Sequence, residues 1–372
     1  MVNNFWNALL PRISPSFLIG ITLGDFGNLL RQNRFAVEPR QAMRVLVISC
    51  FALINTLIRR REEKLFGSSV SQMEVRAPLF ILGAGRCGTT FLHNLLSIDQ
   101  RYAFPNYYQV RNPHTFLLTE RFVTRISASL LPKKRVQDNV NITWQSPDED
   151  EFAISLMTLH SPLLSLLFPH QRQFYDQYHL LDELTELERS KWLQGWMSFL
   201  RKLTYKYRRP LILKSPWHLG RLKTILEIFP GAKFVHIVRN PYHVFQSFLH
   251  SSERLYQHWS FQQIPFEHIV EAWFSRHQRA YDIFFEYRQK IPRNCLCDVR
   301  FEDLERHPVA QIKEIYNTLE LPPFSNVKPH LERYLKTLTN YEKNVKTELT
   351  AELKRRILKC YLRSFEEYGY EI

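Results

Sequence analysis

Residues 79–91 read Leu-Phe-Ile-Leu-Gly-Ala-Gly-Arg-Cys-Gly-Thr-Thr-Phe, and no other stretch restricts the fold as sharply. The apolar run from Leu79 to Leu82 has the length of a buried strand. It breaks into Gly83-Ala84-Gly85-Arg86-Cys87-Gly88, and an apolar helical pattern begins after Thr89-Thr90. A strand, a glycine loop and a helix N-terminus together make an anion cradle, because inward N–H groups and the helix end both favour negative charge. The spacing approaches the phosphate loop Gly-x-x-x-x-Gly-Lys-Ser/Thr, yet Thr89 stands at the lysine position and Arg86 is the loop's only cation.

Further along, short apolar runs alternate with helical patterns. Pro210–Lys214 reads as a second strand ending in Ser215-Pro216-Trp217-His218, Lys233–Val238 as a third ending in Arg239-Asn240-Pro241, and Cys295–Phe301 as a fourth. Helical spacing covers 181–207, about 219–229, 267–289, 308–319 and 348–366. The alternation predicts an α/β fold: a three-layer α/β/α arrangement around a parallel sheet of four to five strands. Ligands of such sheets sit at the carboxyl ends of the strands, where the notable clusters fall. The division expected is a helical segment over 1–76 and an α/β domain over 77–372. Pro11, Pro15, Gly20, Gly24 and Gly27 would break the first segment, and Gly67–Ser71 reads as a linker.

The charge of +14 (50 Lys+Arg against 36 Asp+Glu) favours a polyanionic ligand or an anionic membrane surface. Nucleic acid is not expected, because the basic residues are dispersed and no zinc-finger or RNA-binding signature is present. The five cysteines are scattered, which suits a reducing compartment rather than a disulfide framework. The first residues lack the pattern of a secretory leader, so the expected location is cytoplasmic, with the inner face of the membrane as an option. That option comes from Val45–Ile58, an apolar stretch with Arg44 before it and Arg59-Arg60-Arg61 after it. It reads as a buried helix, as a helix lying on an anionic bilayer, or as a short span.

A second cluster is Arg239-Asn240-Pro241 followed by Ser247. Gly83-x-x-Arg86-x-Gly88-Thr89-Thr90 after a strand, with Arg239 and Ser247 about 150 residues on, resembles the bacterial branch of the sulfotransferase superfamily. The resemblance covers roughly 78–325 and includes Phe301-Glu302-Asp303-Leu304 and Lys214-Ser215-Pro216-x-His218. It implies transfer of a sulfuryl group from 3′-phosphoadenosine 5′-phosphosulfate (PAPS) to a hydroxyl of a small-molecule, lipid or glycan acceptor. By that resemblance Gly83, Gly85, Arg86, Cys87, Gly88, Thr89 and Thr90 grip the 5′-phosphosulfate, and Arg239 and Ser247 grip the 3′-phosphate. Lys214 steadies the transferring group with Arg86. Sulfuryl transfer generally proceeds without a metal, so none is expected, and the missing loop lysine fits that chemistry.

The base is the open position. Members with a histidine base carry it two residues after the strand-end lysine, where this chain has Pro216, so His218 is an approximate substitute. Asn106-Tyr107-Tyr108-Gln109 lacks the glutamate that other members use. The acids Asp148-Glu149-Asp150-Glu151 read either as a solvated helix cap or as the source of a base, with Glu151 preferred. Tyr102, Phe104, Tyr107, Tyr108, Trp144, Trp217 and the 156–168 stretch are either core or the wall of an apolar acceptor pocket. Two other readings remain: a P-loop kinase of small molecules, for which the loop lacks its lysine, and a non-catalytic nucleotide- or membrane-binding protein.

Overall fold

The apolar runs pair into one parallel sheet. The computed structural model describes residues 16–131, 141–338 and 348–372. Its strands are β1 (Leu79–Leu82), β2 (Ile212–Lys214), β3 (Lys233–Val238) and β4 (Leu296–Arg300), in the order β2-β1-β3-β4. All pairings are parallel, with Ile81 opposite both Lys214 and Val235, and Val238 opposite Arg300. Every residue of β1 and β2 is buried, which is why they read as unbroken apolar runs rather than alternating ones. The chain passes from β1 to β2 on one side and then returns to β3 on the other. The loop after β1 therefore lies at the switch point where such sheets bind ligands.

In chain order the helices are α1 (Leu23–Gln32), α2 (Ala42–Ser71), α3 (Thr89–Leu96), α4 (Tyr107–Arg111), α5 (Phe116–Ile126) and α6 (Glu151–Thr158). There follow α7 (Arg172–Asp176), α8 (Glu186–Tyr207), α9 (Leu222–Ile228), α10 (Pro241–Trp259) and α11 (Phe266–Tyr287). The last are α12 (Phe301–Arg306), α13 (Pro308–Thr318), α14 (Lys328–Lys336) and α15 (Ala351–Tyr368). Phe80 of β1 is the aromatic centre of the core, with ring contacts to Phe234 (5.7 Å), His218 (5.4 Å), Trp196 and Phe229 (both 6.2 Å).

The N-terminal region departs from expectation in two places. Gly24 and Gly27 do not break the chain; they lie inside α1, which Thr22 caps by accepting from the Asp25 N–H. Gly67–Ser71 is not a linker but the last turns of α2, held there by the burial of Val70. The breaks expected at Pro11 and Pro15 lie outside the described residues.

The stretch Pro39–Ser71 is long and apolar enough to cross a membrane, and 22% of its most apolar part is buried. One face of α2 is nevertheless fastened to the body. Arg44 Nη1 donates to the His258 carbonyl at 3.3 Å, and Asn55 Nδ2 donates to the Ile19 and Ile21 carbonyls at 2.7 and 3.1 Å. Glu62 pairs with Lys202 of α8, and its other oxygen accepts from the Leu118 N–H of α5.

Candidate donor and acceptor site

The glycine loop is shaped by contacts on both sides. A Cβ on Gly83 would sit 2.7 Å from the Ile237 carbonyl oxygen, so β3 passes too close for any side chain. Gly88 adopts φ +97°, and a Cβ there would meet the Phe301 ring at 2.3 Å. Arg86 also takes a left-handed conformation, φ 74°. Gly88 is the N-cap of α3, and no side chain caps that helix, so its first N–H groups are left for another acceptor. Thr89 is buried at the helix start and Thr90 is half-buried. Cys87 is turned inward: its N–H closes the loop onto the Ala84 carbonyl at 3.2 Å, and burial pushes its thiol pKa up to about 12.

The distant cluster meets this loop directly. Arg86 Nε donates to Ser247 Oγ at 3.0 Å, and Arg239 Nη1 donates to the Arg86 carbonyl at 3.3 Å. The Arg239 guanidinium lies 4.4 Å above the Phe301 ring, and its buried Nε has no hydrogen-bond partner among the described residues. Pro241 starts α10 and Asn240 caps it, its Oδ1 accepting from the Tyr242 N–H at 3.0 Å. The Asn240 N–H is in turn held by Glu302 at 3.1 Å, so the Phe301-Glu302 pair supports both halves of the cluster.

Lys214 ends β2, fully buried, with Nζ 2.8 Å from Glu149 Oε1. Glu149 belongs to the acid run, which is not a solvated cap. Each of its four carboxylates has a cationic or imidazole partner. Asp148 meets Arg111 at 2.5 Å, and the Arg111 guanidinium stacks 3.4 Å from the Tyr107 ring. Asp150 accepts from Trp196 Nε1 at 2.9 Å, with both oxygens 3.0 Å from His218 Nε2. Glu151 binds Arg221 through both oxygens and accepts from Ser161 Oγ.

These pairings bear on the reading of the base. Glu151, the preferred candidate, is fully buried and bonded to Arg221 and Ser161. His218 is also fully buried, its ring packed against Phe80 and Trp196, although its Nδ1 has no partner among the described residues. Of the four acids, Glu149 has the most accessible side chain, 18% against 5% for Asp148. Of the candidate pocket aromatics, Tyr108 and Phe168 are buried, whereas Tyr102, Phe104, Tyr107, Trp144 and Trp217 are half-buried; Leu163, Leu164 and Leu167 are buried outright.

One residue went unnoticed in the sequence. His93, one turn into α3, is fully buried with neither ring nitrogen bonded among the described residues. Burial holds its pKa well below the usual histidine value, with the Lys214 charge adding to the effect and Asp148 opposing it. Its spacing of four from Thr89 was a signal, hidden inside an ordinary apolar helix pattern. No cluster of three or more His, Cys, Asp or Glu side chains able to hold a metal occurs among the described residues.

Comparison with known proteins gives a consistent result. Residues 78–326 match the signature described as the Sulfotransferase family. The omega-hydroxy-beta-dihydromenaquinone-9 sulfotransferase Stf3 of Mycobacterium bovis is 32% identical over 354 residues, covering 95% of this chain and 91% of that protein. The Stf3 protein of Mycobacterium tuberculosis matches to the same extent. Among solved structures, sulfotransferase STF9 from Mycobacterium avium superposes with a TM-score of 0.71 at 16% identity, over 95% of this chain and 98% of that one.

Proposed function

The chain belongs to the sulfotransferase family and is a sulfotransferase enzyme, and on that premise we propose that it transfers the sulfuryl group of PAPS to the hydroxyl of a lipid-like alcohol. The observation that carries the donor assignment is the junction of Arg86, Arg239 and Ser247 at the uncapped start of α3. Two anion-seeking groups from two strands suit a nucleotide with phosphates at both ends. The buried, unpartnered Nε of Arg239 fits a group that brings its own acceptor oxygens. A Cβ on Gly85 would point into open space, which leaves room for a diphosphate-like group to approach the backbone.

In the proposed division of labour, Arg86, Thr89, Thr90 and the loop N–H groups hold the phosphosulfate, and Arg239 and Ser247 hold the 3′-phosphate. Lys214 faces the charge that develops on the leaving phosphate. Glu149, rather than Glu151 or His218, takes the acceptor's proton, because it combines partial exposure with contact to Lys214. PAPS, when bound, supplies a sulfur that the acceptor oxygen attacks as the bond to the 5′-phosphate oxygen breaks. Once Lys214 turns toward that phosphate, Glu149 loses its ion-pair partner and its carboxylate is released for the acceptor hydroxyl. His218, just past the end of β2, is held by Asp150 and takes no proton in this reading.

The Stf3 relative, whose name records a hydroxyl on a menaquinone derivative, supports the acceptor class. A hydroxyl carried on an apolar isoprenoid-like chain is the class proposed for this chain. Such an acceptor resides in a bilayer, and the five unpaired cysteines suit a reducing compartment, so the reading places the enzyme in the cytoplasm at the inner face of the membrane. Calorimetric titration with 3′-phosphoadenosine 5′-phosphate tests the donor. Binding is expected, with Arg239→Ala weakening it more than it weakens adenosine 5′-phosphate. No binding to the unaltered protein would overturn the reading.

A further inference from the structure

We propose that the outer face of α2, together with α5, is a docking surface for an anionic lipid bilayer, on which the helix lies in the plane of the membrane. The inference goes beyond the proposed reaction and stands without it. Fourteen large apolar side chains are exposed among the described residues, and all but Leu187, Leu362 and Ile372 lie on α1, the turn after it, α2 or α5. Met43, Leu46, Leu53 and Leu57 recur at helical spacing along one side of α2, and Leu57 is 58% exposed. Phe122 and Ile126, one turn apart on the adjoining α5, add to them, with Phe122 67% exposed. Apolar exposure gathered in one place marks an interaction surface rather than chance.

Charge selects the occupant. The same side of α2 continues past Leu57 into Arg60, Arg61 and Lys64, all exposed, and Arg40 stands before Met43 at the other end. On α5, exposed Arg121 and Arg125 sit beside Phe122 and Ile126. An apolar stripe with basic side chains at its ends and flank matches an anionic membrane surface, where long cationic side chains reach the headgroups while the apolar ones enter the acyl boundary.

The opposite face of α2 decides between lying and spanning. Arg44, Asn55 and Glu62 point into the body and are bonded to His258, to Ile19 and Ile21, and to Lys202. A spanning helix would strand all of these in hydrocarbon. The stripe from Met43 to Leu57 also rises only ~21 Å, short of the ~30 Å hydrocarbon core.

The test is co-sedimentation of the full chain with vesicles of equal parts phosphatidylglycerol and phosphatidylcholine, and with phosphatidylcholine alone. The protein is expected to pellet with the anionic vesicles, to do so far less with neutral ones, and to be released by salt. Leu53→Asp with Leu57→Asp should lower the partition at least about tenfold. Arg60→Ala with Arg61→Ala should lower it roughly thirtyfold at low salt. Both variants should keep the unaltered melting temperature and 3′-phosphoadenosine 5′-phosphate affinity. Equal pelleting with neutral and anionic vesicles, no pelleting at all, or a Leu53→Asp/Leu57→Asp variant that pellets normally would overturn the proposal. So would light scattering that finds a dimer which this variant splits without altering pelleting, since the face would then belong to a second copy. No donor or acceptor is present in the assay, so its failure leaves the proposed reaction standing, and a failed nucleotide titration leaves the docking surface standing.

Discussion

Arg221 and Arg239 both follow sheet strands, yet their surroundings are opposite. Arg221 is 1% exposed and fully provided for: both Glu151 oxygens, the Tyr178 carbonyl and the Trp192 ring at 4.7 Å surround it. Arg239 is half-buried and holds a loop carbonyl and an aromatic ring; among the described residues it has no carboxylate partner and its Nε has no hydrogen-bond partner. A buried cation matched by an anion is part of the scaffold, because removing either partner strands the other. A cation held in place by neutral groups keeps its charge for a ligand. Lys214 stands between these cases, with one carboxylate that is itself partly exposed.

The contrast predicts a graded set of outcomes. Arg221→Ala should be the most damaging, costing about 3–5 kcal/mol of stability by denaturant unfolding because Glu151 is left buried and unpaired. An Arg221→Ala protein of normal stability would erase the distinction. Next, Glu149→Gln should lower kcat by ~100-fold or more, flatten the acidic limb of the pH–rate profile and leave nucleotide affinity in place. Glu151→Gln should instead move stability and leave the profile's shape alone, and the reverse result would restore Glu151 as the base.

A smaller effect is expected for Arg239→Ala, about 1.5–3 kcal/mol of 3′-phosphoadenosine 5′-phosphate binding with stability almost unchanged. If that variant instead unfolded as readily as Arg221→Ala, Arg239 would belong to the scaffold. The smallest effect concerns His114, a buried scaffold group near the Leu156 carbonyl at 3.3 Å, whose pKa burial lowers to about 3. The unfolded chain takes up that proton first, so the stability His114 contributes is full above an unfolded value of ~6.5 and is lost as pH falls toward 3. Unfolding free energy should therefore drop by about 0.7 kcal/mol from pH 7 to pH 6, and His114→Gln should remove that part of the slope. Nucleotide binding should not follow the same curve.

The glycine loop and the strand end that meets it were legible in the sequence because their signals are local. Gly83, Arg86, Gly88 and Thr89 fall in one loop, and Arg239 ends a recognisable strand. The strands were legible for the same reason: fully buried β1 and β2 leave unbroken apolar runs. The acid run was not, because its meaning depends on partners far away. Asp148 faces Arg111, 37 positions earlier, and Asp150 faces His218, 68 positions later. Read alone, four acids before a helix look solvated. The Gly67–Ser71 linker failed similarly: glycine and serine weaken a helix locally, but burial of Val70 overrides the propensity. Of the three readings of Val45–Ile58, the structure bears on the buried helix alone: one face of α2 is buried and the other is bare.

Gly88 and Phe301 touch across more than half of the chain's length. The ring that backs the glycine loop and underlies Arg239 arrives with the fourth strand. On the ribosome, β1 and its loop emerge early but lack this backing until translation has passed residue 301. A nascent chain therefore exists for much of its synthesis without the backing of the proposed nucleotide cradle, and on that reading ligand does not help the first half to fold. Any assistance from the donor comes only after the last strand has joined the sheet, as a late lock rather than an early template.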